Sequence, residues 1–153
     1  MSDATGLQLF ANIATIIAAT VASIGIYLGV KQLKLSTSIA KANFLLELEK
    51  LSERFDDIHM NLRPGGKWAE AGEVSLNDLS RSEIIKLEDY MGFFEHCELL
   101  INKGVLSGSD FYKLFGYRLY NLNSSGLIGQ KVSADGADSW VDIIALKERI
   151  GIK

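Results

Sequence analysis

The chain has little of what most catalytic and metal-binding frameworks require. Its one cysteine, Cys97, excludes an internal disulfide and every cysteine-rich zinc site. Two histidines, His59 and His96, are too few for a histidine-rich metal centre. One proline, Pro64, in 153 residues excludes a collagen-like or proline-rich protein. Basic residues are outnumbered 19 to 16 by acidic ones, and a formal charge of −3 argues against a dedicated DNA or RNA binder, whose domain is usually basic. Apolar residues, in contrast, make up 48% of the chain, so there is enough surface to bury and disorder is excluded.

Much of that apolar content lies at the start. Residues Ala4 to Val30 carry no charge, and the stretch from Leu7 to Val30, 24 residues, spans about 36 Å as a helix, enough to cross a bilayer of about 30 Å with some tilt. A cleavable signal peptide would open on positive charge and have a shorter apolar core. Here the chain opens Met-Ser-Asp, so a retained anchor is expected. The competing reading is a buried soluble helix, since Asn12, Thr15, Thr20 and Ser23 dilute the hydrophobicity. Lys31, Lys34 and Lys41 follow the span, whereas Asp3 is the only charge before it. Lysine-rich flanks stay cytoplasmic, so a single pass with the N-terminus out and the C-terminus in the cytosol is expected.

The span also carries a stripe of small residues: Ala11, Ala18 and Gly25 at one seven-residue spacing, Thr15, Ala22 and Gly29 at another. Small residues let helix backbones approach closely in lipid, which points to a homo-oligomer formed through this stripe.

No proline or glycine interrupts residues 31–63, so the span is expected to run on as one long helix. Phe44, Leu48, Leu51, Phe55, Ile58 and Leu62 recur at alternating spacings of four and three, an apolar stripe that either packs on later helices or continues an oligomer seam. Pro64-Gly65-Gly66 must end that helix. A second helix is expected from Ser82 to Asn102, with Ile84, Leu87, Met91, Phe94, Cys97 and Ile101 inward. A third should start at Ser109-Asp110 and run to Leu122, with Phe111, Leu114, Phe115 and Leu122 on one face. Residues 127–134 read as irregular or as one short strand, and Asp138 as the cap of a last helix. The expected architecture is all-α: tail and transmembrane helix over 1–30, a basic juxtamembrane helix over 31–43, and a cytosolic domain of about four helices over 44–153.

Catalytic signals are poor. Ser38 and Lys41 form an SxxK pair without its companion motifs. None of the zinc-protease, serine-hydrolase or phosphate-loop motifs occurs, so no enzyme, metal or cofactor is expected. Binding signals are better. Arg63-Pro64-Gly65-Gly66-Lys67-Trp68 combines two cations, two glycines and an indole: the glycines would let backbone N–H groups approach a phosphate, Arg63 and Lys67 would neutralise it, and Trp68 would stack on a base. The competing reading is a turn whose tryptophan tucks into the core. Arg118 and Glu98 occupy inward slots of their helices, where a charge needs a partner. They either pair with each other, or Arg118 joins Tyr117 and Tyr120 in an anion site.

The stretch from Phe93 to Leu106, followed by Phe111 to Arg118, resembles a family of uncharacterised bacterial proteins with one N-terminal membrane helix and a short helical cytosolic domain. Its signature is F-E-x-x-x-x-L-x-x-x-G-x-[IVL] followed by F-G-Y, here Phe94-Glu95, Leu100, Gly104, Leu106 and Phe115-Gly116-Tyr117. The resemblance implies a bacterial inner-membrane protein. The layout is also similar to small CRISPR-associated membrane effectors, in which a cyclic oligonucleotide binds the cytosolic domain of an oligomer. It implies an anionic second messenger bound by the cytosolic domain and transmitted to the membrane helices in antiviral defence; Arg63, Lys67, Trp68, Tyr117 and Arg118, read from the loop and the inward slot above, are the residues expected to hold it. The alternative expectation is a membrane-anchored scaffold that recruits a protein partner through the 44–62 stripe.

Overall fold

The computed structural model describes residues 2–69 and 74–151; side chains are described from residue 15 onward and at 8 and 13. The described residues are all-α and contain no strand. Helix α1 spans Ser2–Glu53, α2 Asp56–Leu62, α3 Arg81–Asn102, α4 Gly108–Ser124, α5 Leu127–Asp135 and α6 Val141–Arg149. Short 3₁₀ turns at Leu76–Asp78 and Ala137–Trp140 lead into α3 and α6.

The chain divides into two compact units, Met1–Leu48 and Glu49–Lys153. The first is helical, and its segment from Thr15 is long and apolar enough to cross a membrane. None of its most apolar stretch is buried: Ile16, Ile17, Val21, Ile24, Ile26 and Leu28 are all exposed. Two of the hydroxyls that dilute its hydrophobicity are satisfied within the helix. Thr20 Oγ1 donates to the Ile16 carbonyl at 2.8 Å and Ser23 Oγ to that of Ala19 at 2.8 Å. Such back-bonding removes most of the cost of placing a hydroxyl in an apolar medium. Beta carbons added at Gly25 or Gly29 would meet nothing within 4 Å, so that stripe is open along the helix. The side chains of Ala11 and Asn12 lie outside the described residues.

In the second unit α3 is the central element, packed on α2, α4 and α6. It buries Leu87, Tyr90, Met91, Phe93, Phe94 and Cys97. Phe94 meets Phe111 of α4 edge-on at 6.2 Å, and Phe93 meets Phe115 at 5.3 Å. Ile143 and Leu146 of α6 and Leu127 and Ile128 of α5 complete the core. The buried face of α3 is wider than a single stripe because helices cover it on more than one side.

Several elements differ from expectation. The long helix breaks at Arg54–Phe55, although no proline or glycine is there. The cap of α3 is Ser80, two residues earlier than Ser82: its side chain accepts from Glu83 N, while Glu83 Oε2 accepts from Ser80 N at 2.8 Å, a reciprocal capping box. Ser107 caps α4. Leu114 of α4 is exposed and Leu119 takes its place in the core. Residues 127–135 form α5, neither irregular nor a strand. That helix is held by tertiary contacts that its own sequence does not announce: Gln130 accepts from Leu76 N at 2.9 Å and donates to the Val74 carbonyl at 3.0 Å. Asp138 lies inside a 3₁₀ turn and does not cap α6. Along the 44–62 stripe, Leu48, Ile58 and Leu62 are buried, Phe44 and Phe55 half-buried, and Leu51 exposed. Half of this stripe is therefore buried, which leaves less of it free than a docking face over 44–62 would need.

Phe94 is wholly buried at the centre of the ring cluster. Phe94→Ala should lower the unfolding free energy of the detergent-solubilised chain by about 3–5 kcal/mol in a denaturant titration, through lost burial and the cavity left behind.

Candidate functional site

The break between α1 and α2 is made by side chains. Phe55 leaves helical geometry (φ −106°, ψ 13°), and the Arg54 and Phe55 amides bond only three residues back, to Leu51 and Ser52. The Phe55 ring packs against Tyr90 at 5.4 Å and Phe93 at 5.7 Å on α3. Arg118 reaches across from α4 to both sides of the break: Nη1 donates to the Ser52 carbonyl at 3.4 Å, and Nη2 to Asp56 Oδ1 at 2.6 Å. A carbonyl in the last turn of α1, which also accepts from the Phe55 amide, and an acid in the first turn of α2 are joined by one guanidinium.

His59 sits one turn further along α2 and is buried. Burial first, then the charges of Arg118 and Arg63, lower its pKa from 6.5 to about 4. Both arginines thus act on the same imidazole. Tyr117 lies edge-on to it at 5.9 Å, and the Tyr90 hydroxyl is 3.4 Å from Nδ1. Burial raises the Tyr90 hydroxyl well above the usual tyrosine range, against the pull of Arg118. At neutral pH this cluster holds a neutral histidine, a neutral tyrosine, two arginines and one acid, Asp56.

Three of the five expected site residues, Arg63, Tyr117 and Arg118, therefore gather around His59. Lys67 and Trp68 do not join them. Lys67 pairs with Glu83 at 3.1 Å and stands 5.7 Å from the Trp68 ring. Trp68 has no exposed surface, so it offers no face to a base and belongs to the core. The loop glycines are explained by the turn itself. Gly65 adopts φ +83°, and a beta carbon on Gly66 would lie 2.4 Å from the Met60 and Asn61 carbonyl oxygens. Arg63 is extended (φ −70°, ψ 156°), as the residue before a proline must be.

Arg118 does not pair with Glu98. Glu98 is fully buried and is taken by Arg149 of α6, whose Nε lies 3.1 Å from both carboxylate oxygens and whose Nη2 lies 2.6 Å from Oε1. Asn102 accepts from the same guanidinium at 2.7 Å. This fork joins α3 to α6 and leaves Arg118 to the helix break. His96 is exposed, and burial pushes the Cys97 thiol up to about 12, leaving it an inert core residue.

Tyr117 also borders a groove of about 600 Å³ along α4, with Tyr112, Lys113, Gly116 and Tyr120. The three tyrosines are 57–60% exposed. Tyr112 lies over Gly116, where a beta carbon would come within 3.0 Å of the ring. The sequence reading missed Asp56, His59, Tyr90 and Tyr112. Tyr112 was findable from its four-residue spacing to Gly116 and Tyr120. Asp56 and His59 were not, because the helix break that exposes one and buries the other is a tertiary effect.

Folding lowers the His59 pKa, so its contribution to stability is intact above pH 6.5 and is lost as pH falls toward 4. Wild type should lose more stability than His59→Gln across that window, as read from unfolding midpoints. In Arg118→Gln, the His59 titration followed by NMR should move up toward 6.5, because one repelling charge is gone. Arg149→Met should lower the unfolding midpoint by leaving Glu98 buried and uncompensated, whereas the pair Glu98→Leu with Arg149→Met should lower it much less.

Comparison of the chain with protein-family models, with curated proteins and with solved structures finds no match in any of the three.

Proposed function

We propose that this chain is a single-pass protein of the bacterial inner membrane, N-terminus out, whose helical domain receives an anionic ligand of the cyclic-oligonucleotide class and transmits its binding to the membrane helices without catalysis. The exposed apolar face of α1, followed by Lys31, Lys34 and Lys41, supports the anchor and its orientation. The observation that carries the ligand reading is the position of Arg118, which holds the break at residues 54–55 from both sides. An anion that draws the guanidinium away removes its bonds to the Ser52 carbonyl and to Asp56 together and leaves the Phe55 amide as the carbonyl's donor. Arg63 supplies a second cation, and the tyrosine groove beside Tyr117 supplies stacking faces for bases.

Helix α1 is continuous through Glu53, so a change at the break reaches the membrane segment along one helix. There, self-association through Thr15, Ala18, Ala22, Gly25 and Gly29 gives two packings for the ligand to choose between. The ligand must bind one of them more tightly, since equal affinity shifts nothing. This is the logic of the membrane effectors of prokaryotic antiviral systems, and defence is the role proposed for it.

A second reading, a membrane-anchored scaffold, is favoured by the three exposed tyrosines of α4 if they meet a protein. Calorimetric titration of the full chain in lipid nanodiscs with cyclic di-, tri- and tetranucleotides separates the two. Saturable binding of one of them, lost in Arg118→Gln and Arg63→Gln but retained in Lys67→Gln, is the expected result. No binding by the oligomeric chain would leave the scaffold reading.

A further inference from the structure

Helix α3 is central to the core, yet one side of it is uncovered. Ile85, Asp89, His96 and Leu99 are exposed with Gly92 between them, at alternating spacings of four and three that put all five on one stripe. Ile85 is 47% exposed and Leu99 40%. Beside Gly92 the stripe borders a cleft of about 240 Å³ walled by Leu51 and Phe55. A beta carbon on Gly92 would meet nothing within 4 Å, so no neighbour within the chain calls for a glycine there. In mid-helix glycine is disfavoured unless another backbone must come close. Among the described residues, neither Asp89 nor His96 has a hydrogen-bond or ion-pair partner. The acids flanking the stripe are engaged elsewhere: Glu88 pairs with Lys131 of α5, and Glu95 lies against the Ile143 amide of α6.

This stripe is complementary to itself. Turned end for end about Gly92, it sets Ile85 opposite Leu99, seven residues to either side, and Asp89 opposite His96, three and four residues to either side. Each contact then occurs twice, as a two-fold axis requires. An imidazole carries an N–H in either ionisation state, so His96 can donate to a carboxylate at neutral pH. Parallel packing would instead set Asp89 against Asp89, a like-charge contact. We infer that α3 binds α3 of a second copy of this chain, antiparallel and crossing at Gly92, with Asp89 of each copy accepting from His96 of the other and Ile85 packed on Leu99. The missing side chain at Gly92 lets the two backbones approach at the crossing. The pairing does not rest on the ligand reading at Arg118.

Disulfide trapping in the full chain in detergent micelles tests it, with wild type as the control because Cys97 is buried. Positions 85, 92 and 99 are all open, so cysteine variants there should fold. Under mild oxidation Gly92→Cys is expected to give a disulfide-linked dimer. Ile85→Cys should stay monomeric, because antiparallel packing holds the two copies of that position about 21 Å apart. Ile85→Cys combined with Leu99→Cys should again give a dimer. In the Gly92→Cys background, Asp89→Lys alone and His96→Glu alone should each lower the dimer yield by roughly tenfold, and the two together should restore it. Three results would overturn the inference. One is a monomer from both Gly92→Cys and the double-cysteine variant; another is a dimer from Ile85→Cys as abundant as that from Gly92→Cys, which would mean parallel neighbours. The third is a double charge reversal that fails to restore the dimer.

Discussion

Arg118 of α4 bonds to both sides of the break between α1 and α2, at the Ser52 carbonyl and at Asp56. The backbone of residues 31–63 contains nothing that forbids a continuous helix, so the break at Arg54–Phe55 has to be held open by contacts from outside it. Phe55 supplies the apolar half of that hold, between Tyr90 and Phe93, and Arg118 the polar half, between the Ser52 carbonyl and Asp56. A guanidinium suits this task better than an ammonium would: its planar set of donors can serve a carbonyl and a carboxylate at once. His59 remains neutral beside it, partly because that charge is there.

Several other charged groups are paired with one another away from this cluster. Glu98 is locked to Arg149 between α3 and α6. Lys131 of α5 is held by Glu88 at 2.5 Å and Asp135 at 2.9 Å. Lys86 pairs with Asp57, and Lys67 with Glu83. In a chain with more acids than bases, attraction for an anion has to come from cations gathered locally and partly desolvated, because the overall field opposes it. Arg118, half-buried, and Arg63, exposed, stand around a buried imidazole, and on the proposed reading they supply that attraction.

The all-α architecture was legible because its signals are local or periodic: the uncharged run at the N-terminus, the four-and-three spacing of α3 and α4, and the Pro64-Gly65-Gly66 stop. Helix α5 was not, because its apolar residues are few and Gln130 and Lys131 fasten it to distant segments. Arg118 reads from its spacing as a charge in an inward slot that needs a partner; of the two readings open there, the pair with Glu98 is ruled out because Arg149 holds that carboxylate. Spacing places a residue on a face of its own helix; it does not say which neighbouring helix supplies the counter-charge. Trp68 misled for a related reason, since its glycine-rich neighbourhood serves a tight turn as well as it would serve a phosphate. The break itself left no trace in the sequence, which is why two of the groups it positions, Asp56 and His59, went unnoticed.

The most direct test of the coupling role given to Arg118 is a pulsed electron-resonance distance between spin labels at Glu49 and Met60, both exposed and on opposite sides of the break. Eleven residues of unbroken helix would place their backbones about 16 Å apart. Arg118→Gln, in the full chain in nanodiscs, is expected to shift the distance distribution toward that of a continuous helix or to broaden it to include one. A distribution identical to wild type would show that Phe55 alone holds the break, and would contradict the claim that an anion at Arg118 reaches the membrane through it.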